Sequence, residues 1–243
     1  MQIDSLILRM RPRAPLDAAD LGVRLCQTNA RSVYVCYAAV ATPMFALALA
    51  SYEIGGWLPF FVLWWSKPWL DRTILFVLSR AAFGQPTTLH HLWQAQGSVL
   101  WRQLLLTWTW RRLSPWRSFT QPVYQLEGLG FLKLRARLKL IRRTSAGPAL
   151  LVVSAFSFAE TALVFAVISL AVWFAPTGQT QLVFQSLIGD GETVFPLVAS
   201  LAYAVVVLFL EPFFVAAGFA LYLNRRTELE AWDVEQELRR AFA

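Results

Sequence analysis

Long apolar runs alternate with polar segments along the chain, and the four longest cover residues 32–50, 57–83, 146–175 and 193–223. The shortest of them has 19 residues. A helix rises about 1.5 Å per residue, so each run is long enough to cross a hydrocarbon core of about 30 Å. The pattern predicts an all-α polytopic membrane protein with about four transmembrane helices, of which two are kinked or over-long. Basic amphipathic helices at the cytoplasmic interface complete the prediction.

The distribution of positive charge predicts the orientation of these helices. The chain has 22 Lys and Arg residues, and none of them lies in the connections at residues 51–56 and 176–192. Because Lys and Arg accumulate on the cytoplasmic side of membrane proteins, these connections are expected outside. Both termini are therefore expected to be cytoplasmic.

Composition excludes other classes of protein. Charged residues make up only 15% of the chain, against about 25% in soluble domains, so a soluble enzyme or a disordered chain is not expected. The net charge of +7 is assigned to contacts with anionic lipid headgroups, and no nucleic acid partner is expected because no recognition module accompanies the charge. The expected headgroup contacts are Arg111, Arg112, Arg135, Arg137, Arg142, Arg143, Arg225 and Arg226.

Five segments follow from the apolar and basic stretches. They are a basic cytoplasmic arm (1–31), a first transmembrane hairpin (32–84), a basic interfacial segment (85–145), a second hairpin (146–224) with an exterior loop at 176–192, and an amphipathic cytoplasmic tail (225–243). Within the arm, one interfacial helix is expected from Pro15 towards Thr28.

The interfacial segment contains one ambiguous stretch. From Leu132 to Leu140 apolar and polar residues alternate with period two, which is typical of a strand. No other strand signal offers it a pairing partner, and Pro122 suits the first turn of a helix. A helix on the cytoplasmic face of the membrane is therefore the preferred prediction, with a strand as the alternative.

Ionisable residues inside the apolar runs are the main candidates for a site, because each costs about 2.5–3.5 kcal/mol or more to insert. By helical rise, Glu160 and Glu211 lie about 20 and 18 Å from the cytoplasmic boundary, and Lys67 lies about 15 Å from the outer one. We therefore predict a buried cluster in which Lys67 pairs with one or both glutamates. The cluster is either a structural clamp or an ion or proton relay. Asp71 and Arg72 are expected to form an ion pair nearer the cytoplasmic boundary.

No familiar catalytic or metal-binding pattern is present in the sequence. The adjacent His90 and His91 diverge by about 100° on a helix and have no Cys, Asp or Glu at ligand spacing, so no metal site and no cofactor are expected. Cys26 and Cys36 are ten residues apart and are interpreted as small apolar side chains. The sequence thus gives no support for an enzyme.

The tail is the expected contact for a protein partner. Thr227 and Glu230 have the spacing of a capping box, which predicts that a separate tail helix begins there. The acidic helix from Thr227 to Arg240 is a candidate docking surface for a membrane or cytoplasmic protein. The alternative is a solvated helix face.

Two stretches carry a resemblance to a known group of proteins. They are KPWLDRTILFVLSRAAFG at residues 67–84 and EPFFVAAGFALYLNRRTELEAWD at residues 211–233, followed by Arg239 and Arg240. They resemble uncharacterised multi-pass inner-membrane proteins of Gram-negative bacteria, which are usually encoded beside DUF4129-type membrane proteins and MoxR-type ATPases. The resemblance implies a location in the bacterial inner membrane and a role in a cell-envelope complex, and it implies no reaction.

Three functional hypotheses follow. The first is a non-enzymatic integral membrane subunit that scaffolds or assists an envelope-associated complex. The second is a transporter or an ion- or proton-conducting protein that uses Glu160, Glu211 and Lys67. The third is a membrane enzyme that acts on lipid or envelope precursors at the cytoplasmic face.

Overall fold

The described part of the chain is helical apart from the connections between helices. The computed structural model describes residues 13–101, 104–109, 112, 114–174 and 194–230, and these contain no strand. The helices are α1 (Pro15–Thr28), α2 (Ala30–Ala50), α3 (Leu58–Ala82), α4 (Leu89–Gln96), α5 (Leu104–Trp108), α6 (Arg117–Leu126), α7 (Phe131–Trp173) and α8 (Val194–Glu230). The predicted all-α membrane fold is confirmed. The stretch from Leu132 to Leu140 is helical, as preferred over a strand.

Helix α1 has the predicted bounds. It packs along α8. The backbone N–H of Arg13 donates to Asn224 Oδ1 at 3.0 Å, and Asn224 Nδ2 donates to the Arg13 carbonyl at 3.1 Å. Gly22 lies so close to α8 that an added Cβ would be 2.2 Å from the carbonyl oxygen of Ala216. The expected surface helix is therefore an integral part of the bundle.

Helices α2 and α3 form the expected first hairpin around a short 3-10 turn at Ser51–Glu53. Tyr34 in α2 donates its hydroxyl to the carbonyl of Phe209 in α8 at 2.7 Å. Helix α3 continues through Pro68 and lies at the centre of the bundle, where it packs on α2 and α8. This central position decides the environment of every charge on α3.

Three described helices are long and apolar enough to cross a membrane. They cover Ala30–Glu53, Leu132–Leu170 and Phe195–Glu230. Helix α3 has 25 residues, about 37 Å of helix, but it contains Lys67, Asp71 and Arg72. Four crossings therefore remain a prediction that depends on α3.

Helix α7 corrects the predicted interfacial segment. Its 43 residues run without interruption from Phe131 to Trp173, so the basic stretch from Leu132 to Arg143 and the third apolar run form one helix. The expected boundary at residue 145 is not a helix end. Pro122 was also misplaced, because α6 begins at Arg117 and contains this proline in its interior.

The described residues between Gly97 and Leu126 form a second departure from the prediction, and we call them the inner hairpin. Its first arm follows α3: Trp69 Nε1 donates to the carbonyl of Leu100 at 3.0 Å, and farther on Arg112 lies on the ring of Trp64 at 3.7 Å. The second arm, α6, returns along α3 and α8, where Gln125 Nε2 donates to the carbonyl of Arg72 at 2.9 Å. The chain thus enters the bundle and turns back. This stretch was expected at the surface.

The end of α8 also differs from the prediction. The Thr227 hydroxyl donates to the carbonyl of Leu223 at 2.9 Å, one turn earlier in the same helix. Because α8 runs on to Glu230, the proposed capping box does not begin a new helix. The rest of the tail, the exterior loop at 176–192 and residues 1–12 lie outside the described residues.

Candidate functional site

The three predicted mid-membrane residues meet in the structure. Lys67 projects from α3 between α7 and α8, and its Nζ lies 2.6 Å from Glu160 Oε2 and 2.7 Å from Glu211 Oε2. Each residue comes from a different helix. One lysine thus links three helices through two carboxylates.

Two further residues, Arg117 and Asp71, extend this cluster. Arg117 was not predicted as a site residue, and Asp71 was predicted to pair with Arg72. Arg117 of α6 lies with Nη2 2.5 Å from Glu211 Oε1 and with Nε 3.0 Å from Asp71 Oδ2. We call Lys67, Asp71, Arg117, Glu160 and Glu211 the ion network. Glu211 stands at its centre, because each of its oxygens faces a different cation.

The expected Asp71–Arg72 ion pair is wrong. Adjacent residues on a helix point about 100° apart, and the two side chains accordingly face different neighbours. Asp71 faces Arg117, whereas Arg72 donates from Nη1 to Thr107 Oγ1 at 3.1 Å and from Nη2 to the carbonyl of Ser98 at 3.2 Å. Arg72 therefore holds the first arm of the inner hairpin against α3.

The ion network is buried. The side chain of Asp71 is fully buried, and those of Lys67 and Glu211 are 6% and 3% exposed. Removing ions from water costs several kcal/mol each, so such groups persist only with close partners. The network supplies those partners from α3, α6, α7 and α8. The ion pairs therefore fix the register of these four helices relative to one another.

A cavity of about 600 Å³ opens onto the network. It lies between α3 and α7, which both pack on α8. Its charged side is formed by Lys67, Arg117, Glu160 and Glu211, and its apolar side is formed by Phe60, Trp64, Val153, Phe156, Val164, Phe165, Leu210 and Phe214. A volume of this size is typical of sites for small molecules or headgroups. The cavity therefore combines apolar walls with a charged floor.

Arg112, which the sequence predicted as a headgroup contact, lines the same cavity. It is 9% exposed, and its guanidinium lies 3.7 Å from the centre of the Trp64 ring. An arginine stacked on an aromatic ring keeps its edge available for hydrogen bonds. Its Nε has no hydrogen-bond partner among the described residues. Arg112 thus presents a cation to the cavity.

The other predicted headgroup contacts divide into two groups. Arg135 and Arg143 are exposed on α7. The remaining ones have contacts within the protein: Arg137 with Glu127 at 3.0 Å and with Glu230, Arg142 on the Trp116 ring at 5.0 Å, Arg225 with Glu228 at 2.7 Å and Arg226 with Glu230 at 2.8 Å. Arg111 lies outside the described residues.

The histidine pair takes part in local contacts of α4. His91 Nδ1 lies 3.1 Å from the Thr88 hydroxyl at the start of the helix, and His90 Nε2 lies 2.8 Å from Gln94 Nε2. Within the described ranges, no group of three His, Cys, Asp or Glu residues could hold a metal ion.

Sequence reasoning missed Arg117 as a site residue and named Arg112 only as a headgroup contact. A signal was available, because Lys67 offers one positive charge to the two carboxylates of Glu160 and Glu211. Buried charges need partners of opposite sign, so the missing cations had to come from another segment. The basic stretch between Arg102 and Arg143 was the obvious source.

Comparisons with known proteins add no further identification. No family model matches the chain, and no curated protein or solved structure is similar to it. What the site can do therefore follows from its own geometry: it can hold charge in a low-dielectric interior and admit a guest between α3 and α7.

Proposed function

We propose that this protein is a non-enzymatic integral subunit of the bacterial inner membrane that scaffolds an envelope-associated complex, with α7 as the helix that contacts a membrane helix of a partner. The observation that carries this proposal is the uncovered face of α7. In its most apolar stretch only 6% of the residues are buried, against 67% in α8. One helix of the bundle is thus available for packing by another chain.

The composition of this face supports a protein partner rather than lipid alone. Ala155, Ala159, Ala162 and Ala166 follow each other at intervals of four, three and four residues, which places them on one side of α7. Three of the four are exposed and Ala159 is half-buried. Small residues in this arrangement let two membrane helices approach closely. The stripe lies on the side of α7 away from the Glu160 cavity.

The ion network contributes rigidity to this role. Lys67, Glu160 and Glu211 fix α7 against α3 and α8 at mid-height, so the alanine stripe is presented on a helix with a set orientation. A scaffold needs such a fixed surface. The network supports the clamp interpretation because each carboxylate has a cation within 3.0 Å.

The alanine stripe can be tested by substitution. The double variant Ala155→Leu/Ala162→Leu places bulky side chains on the stripe, while Ala46→Leu changes an exposed alanine of α2 and serves as the matched control. The protein is purified in mild detergent, and the mass of the particle is measured by light scattering. We expect the wild type and Ala46→Leu to retain a stoichiometric partner and the double variant to lose it. A wild-type protein that is monomeric and alone would overturn the proposal.

Ion or proton conduction is the second candidate, favoured by one observation. The Glu160 side chain is 20% exposed and lines the cavity, so it is reachable from there. Reconstituted in liposomes, the wild type and Glu160→Gln are compared for proton and cation flux. Flux that Glu160→Gln abolishes would replace the scaffold with a relay, whereas equal leakage in both proteins supports the clamp.

A further inference from the structure

We propose that the cavity between α3 and α7 binds the headgroup of a zwitterionic phospholipid that carries a phosphate and a primary ammonium, with the phosphate on Arg112 and the ammonium beside Glu160. This site goes beyond the scaffold role and does not depend on it. It uses residues on the cavity side of α7, whereas the proposed partner helix uses the opposite alanine stripe.

The phosphate position follows from the cations that line the cavity. Lys67 and Arg117 are each engaged by two carboxylates. Arg112 instead lies over the Trp64 ring at 3.7 Å, and its buried Nε has no hydrogen-bond partner among the described residues. A guanidinium held in one plane offers two parallel N–H donors, the geometry that recognises a phosphate. Arg112 is therefore the anion-binding group of the cavity.

The ammonium position follows from the one network carboxylate that is open to the cavity. Glu160 uses Oε2 for Lys67, and its side chain is still 20% exposed. Ser157 and Thr161, on either side of it along α7, also line the cavity and offer hydroxyl oxygens. A primary ammonium has three N–H donors, which suit one carboxylate and two hydroxyl acceptors. A quaternary ammonium has no such donors.

The balance of charge favours a guest with no net charge. Lys67, Arg112 and Arg117 carry three positive charges, and Asp71, Glu160 and Glu211 carry three negative charges. The sum is zero. An anionic guest would therefore bring an uncompensated charge into a region where charges interact strongly and are poorly solvated. A zwitterion satisfies Arg112 and Glu160 together and leaves the sum unchanged.

The size and the rim of the cavity suit a lipid. A volume of about 600 Å³ accommodates a headgroup with the first part of its chains. Phe60, Trp64 and Phe165 line the cavity and are 44%, 37% and 67% exposed, so they form an apolar rim through which acyl chains can leave towards the bilayer. The headgroup lies inside and the chains remain in lipid.

The test measures lipid-dependent thermal stability of the full chain after delipidation in detergent. Phosphatidylethanolamine, phosphatidylcholine and phosphatidylglycerol with identical acyl chains are added separately. We expect the first to raise the unfolding midpoint most, because it alone has both a phosphate and ammonium N–H donors without net charge. Arg112→Gln is expected to weaken that binding at least tenfold. Arg143→Gln, which changes an exposed arginine of α7, is the matched control and should bind as the wild type does.

Each other outcome overturns the assignment. Equal or stronger stabilisation by phosphatidylglycerol would show a general anion effect, and an equal loss in Arg143→Gln would show binding at the basic surface. A full effect from free glycerophosphoethanolamine, which has the same headgroup charges without acyl chains, would show that the ligand is soluble rather than a lipid. If Arg112→Gln does not fold, Thr161→Trp, which fills the mouth of the cavity, is compared by native mass spectrometry and should lose the bound lipid. Ala155→Leu/Ala162→Leu should keep it, so failure of the scaffold and failure of the lipid site are separable.

Discussion

The charge of Lys67 is predicted to be the most important single contribution to the ion network. In Lys67→Met the side chain keeps similar length and apolar volume, but Glu160 loses its cation and Glu211 keeps only Arg117. Removing one partner of a buried pair costs about 3–5 kcal/mol, because the other charge remains without compensation. At about 2–4 °C per kcal/mol for a chain of this size, the unfolding midpoint should fall by roughly 6–20 °C.

Two further variants separate pairing from loss of packing. Glu160→Gln leaves Lys67 with Glu211, so it should cost less, about 1.5–3 kcal/mol, as expected for one hydrogen bond to a charged group. The double variant Lys67→Met/Glu160→Gln removes both the cation and the carboxylate that lost it. It should lose less stability than the sum of the two single variants, by an interaction energy of about 0.5–3 kcal/mol. This departure from additivity is the signature of a direct pair.

The assay is thermal unfolding in one detergent, followed by tryptophan fluorescence and by size-exclusion chromatography of heated samples. Lys139→Met, which changes an exposed lysine of α7, is the matched control and should leave the midpoint within about 2 °C of the wild type. A Lys67→Met protein as stable as Lys139→Met would refute the reasoning. A double variant whose loss of stability equals the sum of the two single losses would show that Glu160 is not the partner of Lys67.

Two other predictions concern packing. Cys26 and Cys36 are both fully buried, and burial raises the pKa of the Cys26 thiol to about 12. At pH 8 neither thiol should therefore react with a maleimide until the protein is unfolded in SDS. Rapid labelling of the native protein would contradict this prediction. In Gly218→Ala the new Cβ would lie 2.4 Å from Ser118 Cβ, so we expect a loss of about 1–3 kcal/mol in unfolding free energy. Gly147→Ala, which has open space in the middle of α7, is its control and should be neutral or stabilising in the same thermal assay.

The sequence predicted those features whose physical cause is local. The bounds of α1 follow from Pro15 at its start, and the first hairpin follows from an apolar run that ends in a glycine-containing turn. The meeting of Lys67 with Glu160 and Glu211 could be expected because ionised groups in apolar helices need partners at similar depth. Helical rise was enough to place them at similar depth.

The inner hairpin could not be predicted in the same way. Its segments are covered by protein rather than by lipid, so they can be short and polar. For that reason they do not resemble a membrane crossing in the sequence. Irregular backbone within a membrane fold is possible only under such cover. Hydropathy therefore assigned Arg112 and Arg117 to the surface, although both line the cavity. Only the excess of buried acids indicated that cations from elsewhere were required.

The contrast between α3 and α7 explains how a charged helix can occupy the centre of this fold. Helix α3 carries Lys67, Asp71 and Arg72, and it packs against α2, α8 and the inner hairpin. Protein rather than lipid therefore surrounds these three side chains, and each of them contacts a polar or charged partner. Helix α7 is more apolar in its membrane stretch and remains largely uncovered. Hydropathy alone does not separate covered from uncovered helices, because the apolar stretch of α8 is 67% buried and that of α7 only 6%. The ionised residues of α3 mark a covered position instead, because charges inside the fold need partners of opposite sign. A cavity with apolar walls and a charged floor becomes possible there.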